Sequence, residues 1–185
     1  MRIGFIGVVH LPPMPGDALA TGNDFRELEA RAMSDATALA RGGVDGIVIE
    51  NFGSAPFVKG TEGHRIPPHQ IALMSILTRR FVDELSIPIG VNCLRNDAES
   101  ALGIAATCGA SFIRVNVHQG SYVTDQGIIE GEAYKTLLYR RALDTKVRIY
   151  ADVLVKHASP LAPLSMSDAV KDCLERGAAD GVIVT

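Results

Sequence analysis

The sequence predicts an α/β fold of the (β/α)8 TIM-barrel type, present over residues 1–185 as one incomplete barrel domain of about six βα units. Three observations support this prediction. Short apolar strands alternate with amphipathic helices along the chain, as in folds built on a parallel sheet. The strands carry polar residues on one face, close to their C-terminal ends. A helix-ending glycine followed by a strand recurs in a common template that starts at residues 42, 109 and 177, which is typical of stacked βα units.

The alternation is clearest in the segment 112–118. Positions 113, 115 and 117 are Ile or Val and form one face of the predicted strand, whereas Arg114, Asn116 and His118 form the other. The corresponding faces of three further strands carry Val48 and Glu50, then Gly90, Asn92 and Leu94, then Tyr150, Asp152, Leu154 and Lys156. In a parallel barrel the apolar face packs under the helices and the polar ends of the strands surround the mouth.

A doubly wound open sheet is the alternative, because a glycine that ends a helix before a strand is common in all α/β folds. A closed barrel of this kind has eight strands and typically about 250 residues. Nothing in residues 1–185 encodes strands seven and eight, which usually build the phosphate site of such barrels. Either the chain is truncated, or strands one and six are unpaired edges, which favour association into homo-oligomers or misfolding.

In the first half of the chain, hydrophobic periodicity, caps and breakers predict three strands and three helices. Strand one covers 3–9 and ends at His10; a helix capped by Asn23 or Asp24 runs to about Arg41; strand two covers 45–51; a helix covers about 70–84; strand three covers 88–94; and a helix capped by Asn96 or Asp97 runs to Cys108. The loop 51–69 is rich in glycine and proline, and a loop of that length is either functional or disordered.

The same signals predict three strands and two helices in the second half. Strand four covers 112–118, a small flap 119–127, a helix about 132–143, strand five 149–156, a helix capped by Ser167 runs to Arg176, and strand six covers 180–185.

Composition excludes several classes of protein. With 47% apolar and 21% charged residues and a net charge of −3, the chain is ordinary for a globular domain and has no electrostatic footprint for nucleic acid. Its three cysteines show no disulfide or metal spacing, so we expect a reduced, cytoplasmic protein. The N-terminus lacks the features of a signal peptide, and no apolar run approaches the roughly 20 residues that span a bilayer. Any association with a membrane would be peripheral.

Three residues are candidates for catalysis. Asp152 and Glu50 end separate strands and are expected to face the barrel mouth, where partial desolvation would bring their pKa values toward the range useful for acid–base chemistry. Lys156 lies four residues after Asp152, so we expect it on the same face, where it would bind an anionic group or form a Schiff base. A structural ion pair with Arg114 or Lys156 is the alternative role for both carboxylates.

The candidates for substrate binding also lie at strand ends and in the loops that follow. They are His10, Asn51, Asn92, Arg95, Asn96, Arg114, Asn116, Asp125, Gln126 and His157. The segment 124–127 is a candidate lid, or else a tight turn in which Asp125 caps its own backbone. No local spacing supports a metal site, no glycine-rich loop of the P-loop or dinucleotide type is present, and the residues identify no cofactor.

These motifs resemble the BtpA family over nearly the whole length. The residues that carry the resemblance are Val9–Gly16, Gly43–Gly46, Glu50–Gly53, Pro56–Phe57, Gly90–Ala98, Phe112–Val117, Thr124–Gly127, Glu130–Gly131, Ala151–Val153 and Val155–His157. Members of the family continue past Thr185 with the last βα units, and the loop 59–65 is longer and richer in glycine here. The first difference puts phosphate binding by residues 1–185 in question.

The resemblance implies a TIM barrel of the ribulose-phosphate-binding type. It also implies a link to photosystem I biogenesis in cyanobacteria, although many members occur in bacteria and archaea without photosynthesis. No catalytic mechanism comes with it, so two functions stay open. The first is an enzyme of sugar-phosphate type, with isomerase, aldolase or lyase chemistry on a small anionic molecule. The second is a non-enzymatic assembly factor, as for photosystem I.

Overall fold

The computed structural model describes residues 4–22 and 24–184, so the predictions that involve Ile3, Asn23 and Thr185 lie outside the described residues. Its strands are β1 (Ile6–His10), β2 (Gly46–Glu50), β3 (Ile89–Asn92), β4 (Phe112–Val115), β5 (Ser121–Thr124), β6 (Gly127–Glu130), β7 (Arg148–Val153), β8 (Ser159–Pro160) and β9 (Gly181–Val184). Its helices are α1 (Phe25–Arg41), α2 (Pro68–Glu84), α3 (Ala98–Cys108), α4 (Ala133–Ala142) and α5 (Met166–Lys171), with a 3-10 turn at Phe52–Ser54 and a π-helical turn at Asp172–Arg176.

Six strands form one parallel sheet in the order β1-β2-β3-β4-β7-β9. Each new parallel strand adds to the same side of the sheet, whereas a doubly wound sheet reverses direction at a switch point. The sheet curls into half a barrel with the helices outside, and the predicted barrel-type fold is confirmed. A separate antiparallel sheet in the order β6-β5-β8 stands beside the C-terminal end of β7.

The main core lies between the outer face of the sheet and the helices. Ile47, Ile49, Val91 and Ile113 are fully buried there, as the alternation predicts. Side chains of α1, α2 and α3 complete the same cluster, with Met74, Leu77, Phe81 and Leu102 at 0% exposure. One face of each strand is therefore committed to packing, and the other is free to build a site.

Local capping explains where most helices begin and end. The Asp24 carboxylate accepts from the Arg26 N–H and starts α1, and the Asp97 carboxylate accepts from the Ser100 N–H and starts α3. Helix α2 begins at Pro68, earlier than predicted, because proline suits the first turn of a helix. The prediction that Ser167 caps the last helix, α5, is wrong.

The cap of α5 is Ser165, whose hydroxyl accepts from the Asp168 N–H. Ser165 and Asp168 are spaced as in a capping box, and the Ser165 hydroxyl also donates to the Asp168 carboxylate. The predicted strand five is also too long. Strand β7 ends at Val153, and Leu154 adopts a left-handed conformation with φ of 51°, so the alternation stops there.

Two further observations bear on the composition. Cys93, Cys108 and Cys173 are free and buried. No helix within residues 4–22 and 24–184 is both long enough and apolar enough to cross a membrane.

Candidate functional site

Arg114, on the inner face of β4, joins carboxylates from two other strands. Its Nε donates to Asp152 Oδ1 at 2.9 Å and its Nη2 to Asp152 Oδ2 at 2.8 Å, a bidentate pair with β7. Its Nη1 reaches Glu50 Oε2 on β2 at 3.4 Å. The two candidate catalytic carboxylates therefore converge on one guanidinium, and the ion-pair alternative for them is realised with Arg114.

Two amide side chains complete this network. Asn92 is aligned with Glu50 in the parallel register and donates from Nδ2 to Glu50 Oε2 at 3.1 Å. Asn116 follows β4 and donates from Nδ2 to Asp152 Oδ2 at 2.9 Å. Its other amide atom, Asn116 Oδ1, is buried without a hydrogen-bond partner. The group of five residues, here called the strand-end network, thus contains one buried acceptor that lacks a donor.

The strand-end network is largely removed from water. The side chains of Asp152, Glu50 and Arg114 are 0%, 6% and 18% exposed. Burial alone would lower the pKa of Arg114, but the hydrogen bonds to Asp152 and the charges of Asp152 and Glu50 raise it above its usual value. Arg114 therefore stays charged, and two carboxyl groups face this one guanidinium.

Aromatic rings form the floor beneath the strand-end network. Phe112 and Tyr150 precede Arg114 and Asp152 by two residues on the same strand face, and their rings lie 5.2 Å apart between centroids. Gly90 makes room for this floor, because a Cβ there would lie 2.2 Å from a carbon of the Phe112 ring. The bulky floor confines any ligand to the C-terminal end of the strands.

Cationic side chains stand at the rim. Arg95 is 6% exposed, and its Nη2 donates to the His157 carbonyl at 3.2 Å, so its guanidinium spans from the end of β3 to the turn after β7. Lys156 and His157 are exposed in that turn. The prediction that Lys156 shares a strand face with Asp152 is wrong, because the left-handed Leu154 turns the chain away after β7.

Two predicted binding residues have their amide groups occupied by backbone. Asn51 Oδ1 accepts from the Leu94 N–H at 2.6 Å, and its Nδ2 donates to Gln70 Oε1 and to the Leu94 carbonyl. Asn96 bonds both the N–H and the carbonyl of Val117, at 2.7 and 2.8 Å. These side chains pair neighbouring segments beyond the strand ends, so the geometry favours a positioning role for both over the predicted contact with substrate.

The candidate lid is the turn between β5 and β6. The turn is capped by Thr124, whose hydroxyl accepts from the Gln126 N–H and donates to the Gly127 carbonyl, rather than by Asp125. Asp125 is exposed and accepts from the Gln126 amide at 2.6 Å, and Gln126 Oε1 is buried without a partner. Because β5 also pairs with β8, the hairpin is anchored just after the rim turn.

Two histidines, His10 at the end of β1 and His118 three residues after β4, have different surroundings. His10 is aligned with Glu50 in the register, is exposed, and stacks its ring on Phe52 at 4.4 Å. His118 is buried, its Nε2 lies 2.9 Å from the Gly177 carbonyl, and burial lowers its pKa. His10 remains a candidate for substrate binding at the barrel mouth. His118 instead links the segment after β4 to the segment before β9 through its hydrogen bond to Gly177.

Sequence reasoning missed a second polar cluster around Asp17, whose partners are Ser54, His69 and Gln70. Those partners lie 37 to 53 residues away along the chain, so no local spacing could reveal them.

For metals, residues 4–22 and 24–184 contain no group of three or more His, Cys, Asp or Glu side chains placed to hold an ion.

Comparison with known proteins gives one family and one fold. The sequence profile of the BtpA family matches residues 1–185. The chain is 52% identical over 180 residues to the photosystem I biogenesis protein BtpA of Synechocystis sp., and 45% identical over 180 residues to a protein of Pyrococcus furiosus. Both alignments cover 97% of this chain, and they cover 61% and 66% of the two relatives.

A crystal structure of a dihydropteroate synthetase superposes with a TM-score of 0.59 at 12% sequence identity. The superposition covers 99% of this chain and 61% of that one. At this identity the likeness is one of fold and carries no function.

Proposed function

The chain belongs to the BtpA family, and from the site that its half-barrel builds we propose that it is an enzyme of sugar-phosphate type. Its reaction would be an isomerisation, an aldol-like step or a lyase step that depends on proton transfer. The observation that carries the proposal is the convergence of Asp152 and Glu50 on Arg114 at the C-terminal ends of three parallel strands. Active sites of barrel enzymes lie at that end.

In the proposed mechanism Asp152 and Glu50 move protons and Arg114 holds the charge that develops on a substrate oxygen. A guanidinium that is already desolvated and oriented stabilises an enolate-like oxyanion with little reorganisation. Asn92 and Asn116 orient the two carboxylates through the hydrogen bonds of the strand-end network. The proposal needs no metal, and it names no cofactor.

The position of charges supports a small anionic substrate whose anionic end stays at the rim. The two acidic side chains of the strand-end network, which face a single guanidinium, oppose a further anion on the floor. Arg95 reaches the His157 carbonyl in the turn after β7, and Lys156 is exposed in the same turn. A phosphate bound at this turn would find a guanidinium and an ammonium group. In this arrangement Lys156 binds an anion and does not form a Schiff base.

The test is exchange of carbon-bound hydrogen in D2O, followed by NMR, with a panel of triose and pentose phosphates and the full chain. Exchange reports proton transfer whichever reaction follows. We expect Asp152→Asn and Glu50→Gln each to slow exchange at saturating substrate by about 10²-fold or more, the usual contribution of a positioned acid or base. The matched controls are Asp35→Asn and Glu175→Gln, which make the same chemical change on exposed helical positions and should leave the rate unchanged. If both site variants exchange as fast as the controls, the assigned roles are wrong.

A second candidate function is a non-enzymatic assembly factor. It is favoured by the 52% identity to a relative that is named for photosystem I biogenesis. The two functions are separated by complementation of a cyanobacterium that lacks its own BtpA. A scaffold would still support accumulation of photosystem I when Asp152→Asn and Lys156→Ala are combined, whereas an enzyme of the proposed type would not.

A further inference from the structure

A second polar cluster lies outside the strand-end network, between the proline-rich loop after β1 and the start of α2. Its centre is Asp17, whose side chain is 2% exposed. Asp17 Oδ2 accepts from the Met14 N–H at 2.7 Å and from Ser54 Oγ at 2.5 Å. Asp17 Oδ1 accepts from Gln70 Nε2 at 2.7 Å and lies 3.0 Å from His69 Nε2. The carboxylate is therefore buried and fully coordinated.

The hydrogen bonds around Asp17 fix the tautomer of the neutral His69 ring. Burial alone would raise the pKa of Asp17, but bonds from Ser54, His69, Gln70 and Met14 hold it below its usual value, so the carboxylate is ionised at neutral pH. An ionised carboxylate only accepts hydrogen bonds, so His69 Nε2 must carry the proton. In the neutral ring Nδ1 is then a bare acceptor.

The ring of His69 is held in place and remains partly accessible. It packs against Gly16, where a Cβ would lie 3.3 Å from both Cδ2 and Nε2, and Gly16 has a positive φ of 100° that favours glycine. The His69 side chain is 34% exposed. An oriented imidazole with a free nitrogen is the arrangement that proton acceptors use in other sites.

The cluster borders a cavity of about 120 Å³. Its lining includes polar residues, among them Asp17, Ser54 and His69. The apolar lining is formed mainly by Pro56, Phe57, Val58, Pro67 and Leu94. A volume of this size corresponds to about four water molecules, so it admits a small ring or a short fragment. A pocket that combines apolar side chains with a few placed polar groups is typical of a small-molecule site.

We propose that this cavity is a second ligand site, which takes an uncharged molecule or group with an apolar body and one hydroxyl or N–H donor. The donor bonds to His69 Nδ1, and the apolar body lies against Pro56, Phe57 and Leu94. The carboxylate of Asp17 repels anions, so the site discriminates against the anionic molecule that the strand-end network is proposed to take. The two proposals stand on different residues and can fail separately.

Phenol and toluene test the site, because they have nearly the same shape and only phenol has a donor. NMR titration of the full chain, with ¹⁵N-labelled histidine, should first show His69 in the Nε2–H tautomer. Phenol should shift the Nδ1 resonance and bind about three- to ten-fold more tightly than toluene, the factor that one ordinary hydrogen bond contributes. Benzoate should bind more weakly than either.

Two variants make the test specific. His69→Phe keeps a ring and removes Nδ1, so phenol and toluene should bind to it equally. In Asp17→Asn the amide oxygen is needed by the Met14 N–H, so the amide N–H group faces His69 Nε2 and the Nδ1–H tautomer should appear. If Asp17→Asn does not fold, the tautomer and the titration of the unsubstituted protein still decide. Three results would each overturn the proposal: a Nδ1–H tautomer in the unsubstituted protein, equal binding of phenol and toluene, or phenol-induced shifts that do not include His69. The role of Asp17 would then be only to stabilise the loop.

Discussion

Removal of the guanidinium of Arg114 tests whether the strand-end network is a desolvated charge cluster. Arg114→Met keeps much of the side-chain volume and leaves Asp152, with a side chain at 0% exposure, as an unpaired buried anion. Breaking a buried ion pair in this way costs about 3–5 kcal/mol. Because the Arg114 side chain is 18% exposed, we take the lower end, about 3 kcal/mol. With a urea m-value of about 2 kcal/mol/M, the unfolding midpoint should fall by about 1.5 M.

Urea denaturation followed by circular dichroism measures this shift. The double variant Arg114→Met with Asp152→Asn should recover part of the loss, because the unpaired charge is then removed. Arg79→Met is the control, since Arg79 pairs with Asp83 on the surface of α2 with both side chains about half exposed, and such pairs contribute little. If Arg114→Met moves the midpoint no further than Arg79→Met does, the network is solvated and the electrostatic reasoning about the site fails.

Two further predictions concern the floor and the buried histidine. Gly90→Ala should lower the free energy of unfolding by about 1–3 kcal/mol, the usual cost of overpacking, because its Cβ would overlap the buried Phe112 ring. Gly22→Ala, which meets nothing within 4 Å, should be nearly neutral in the same thermal or urea melt, and equal effects would contradict this account of the floor. For His118, whose pKa burial lowers, the unfolded chain takes up a proton below about pH 6.5 that the folded chain does not, so stability should decrease as the pH falls from about 7 to 5. His118→Gln keeps a donor for the Gly177 carbonyl and should flatten that part of the pH profile, and an unchanged slope would show that another group is responsible.

The convergence of polar side chains could be predicted from the sequence because two simple periodicities determine it. Parity along a strand decides which face a residue occupies, and a parallel sheet brings the C-terminal ends of its strands to one edge. These two rules were enough to predict that four side chains converge, and the structure connects all four by hydrogen bonds. They are Glu50, Asn92, Arg114 and Asp152. Their chemical roles do not follow from the same rules.

The rule that alternate residues share a strand face gave a wrong prediction where the strand ended. Lys156 has the parity of Asp152, but the left-handed conformation of Leu154 ends the alternation before it, and no residue type in that segment demands such a conformation. The two-residue strand β8 was missed for a related reason, since Ser159 and Pro160 have little strand propensity and are held by pairing with β5.

The amides Asn51 and Asn96 show a different limit. Both were predicted as binding residues because a polar side chain at a strand end needs a partner, and a ligand is one such partner. Each instead pairs with the backbone that follows the next strand, at Leu94 and Val117. The choice between ligand and backbone depends on how far each neighbouring strand extends, which is a property of the assembled sheet and not of the local sequence.

The one unsatisfied atom of the strand-end network limits what can bind there. Asn116 Oδ1 is a buried acceptor, and leaving such a group without a partner costs about 1–3 kcal/mol. A ligand recovers that free energy only if it presents a hydroxyl or another donor to this atom. Because the two acidic side chains, Glu50 and Asp152, face a single guanidinium, the end of the ligand that enters first must also be uncharged. A hydroxyl-bearing end on the floor and an anionic end at Arg95 satisfy both conditions, so a sugar phosphate should bind more tightly than either inorganic phosphate or the unphosphorylated sugar alone.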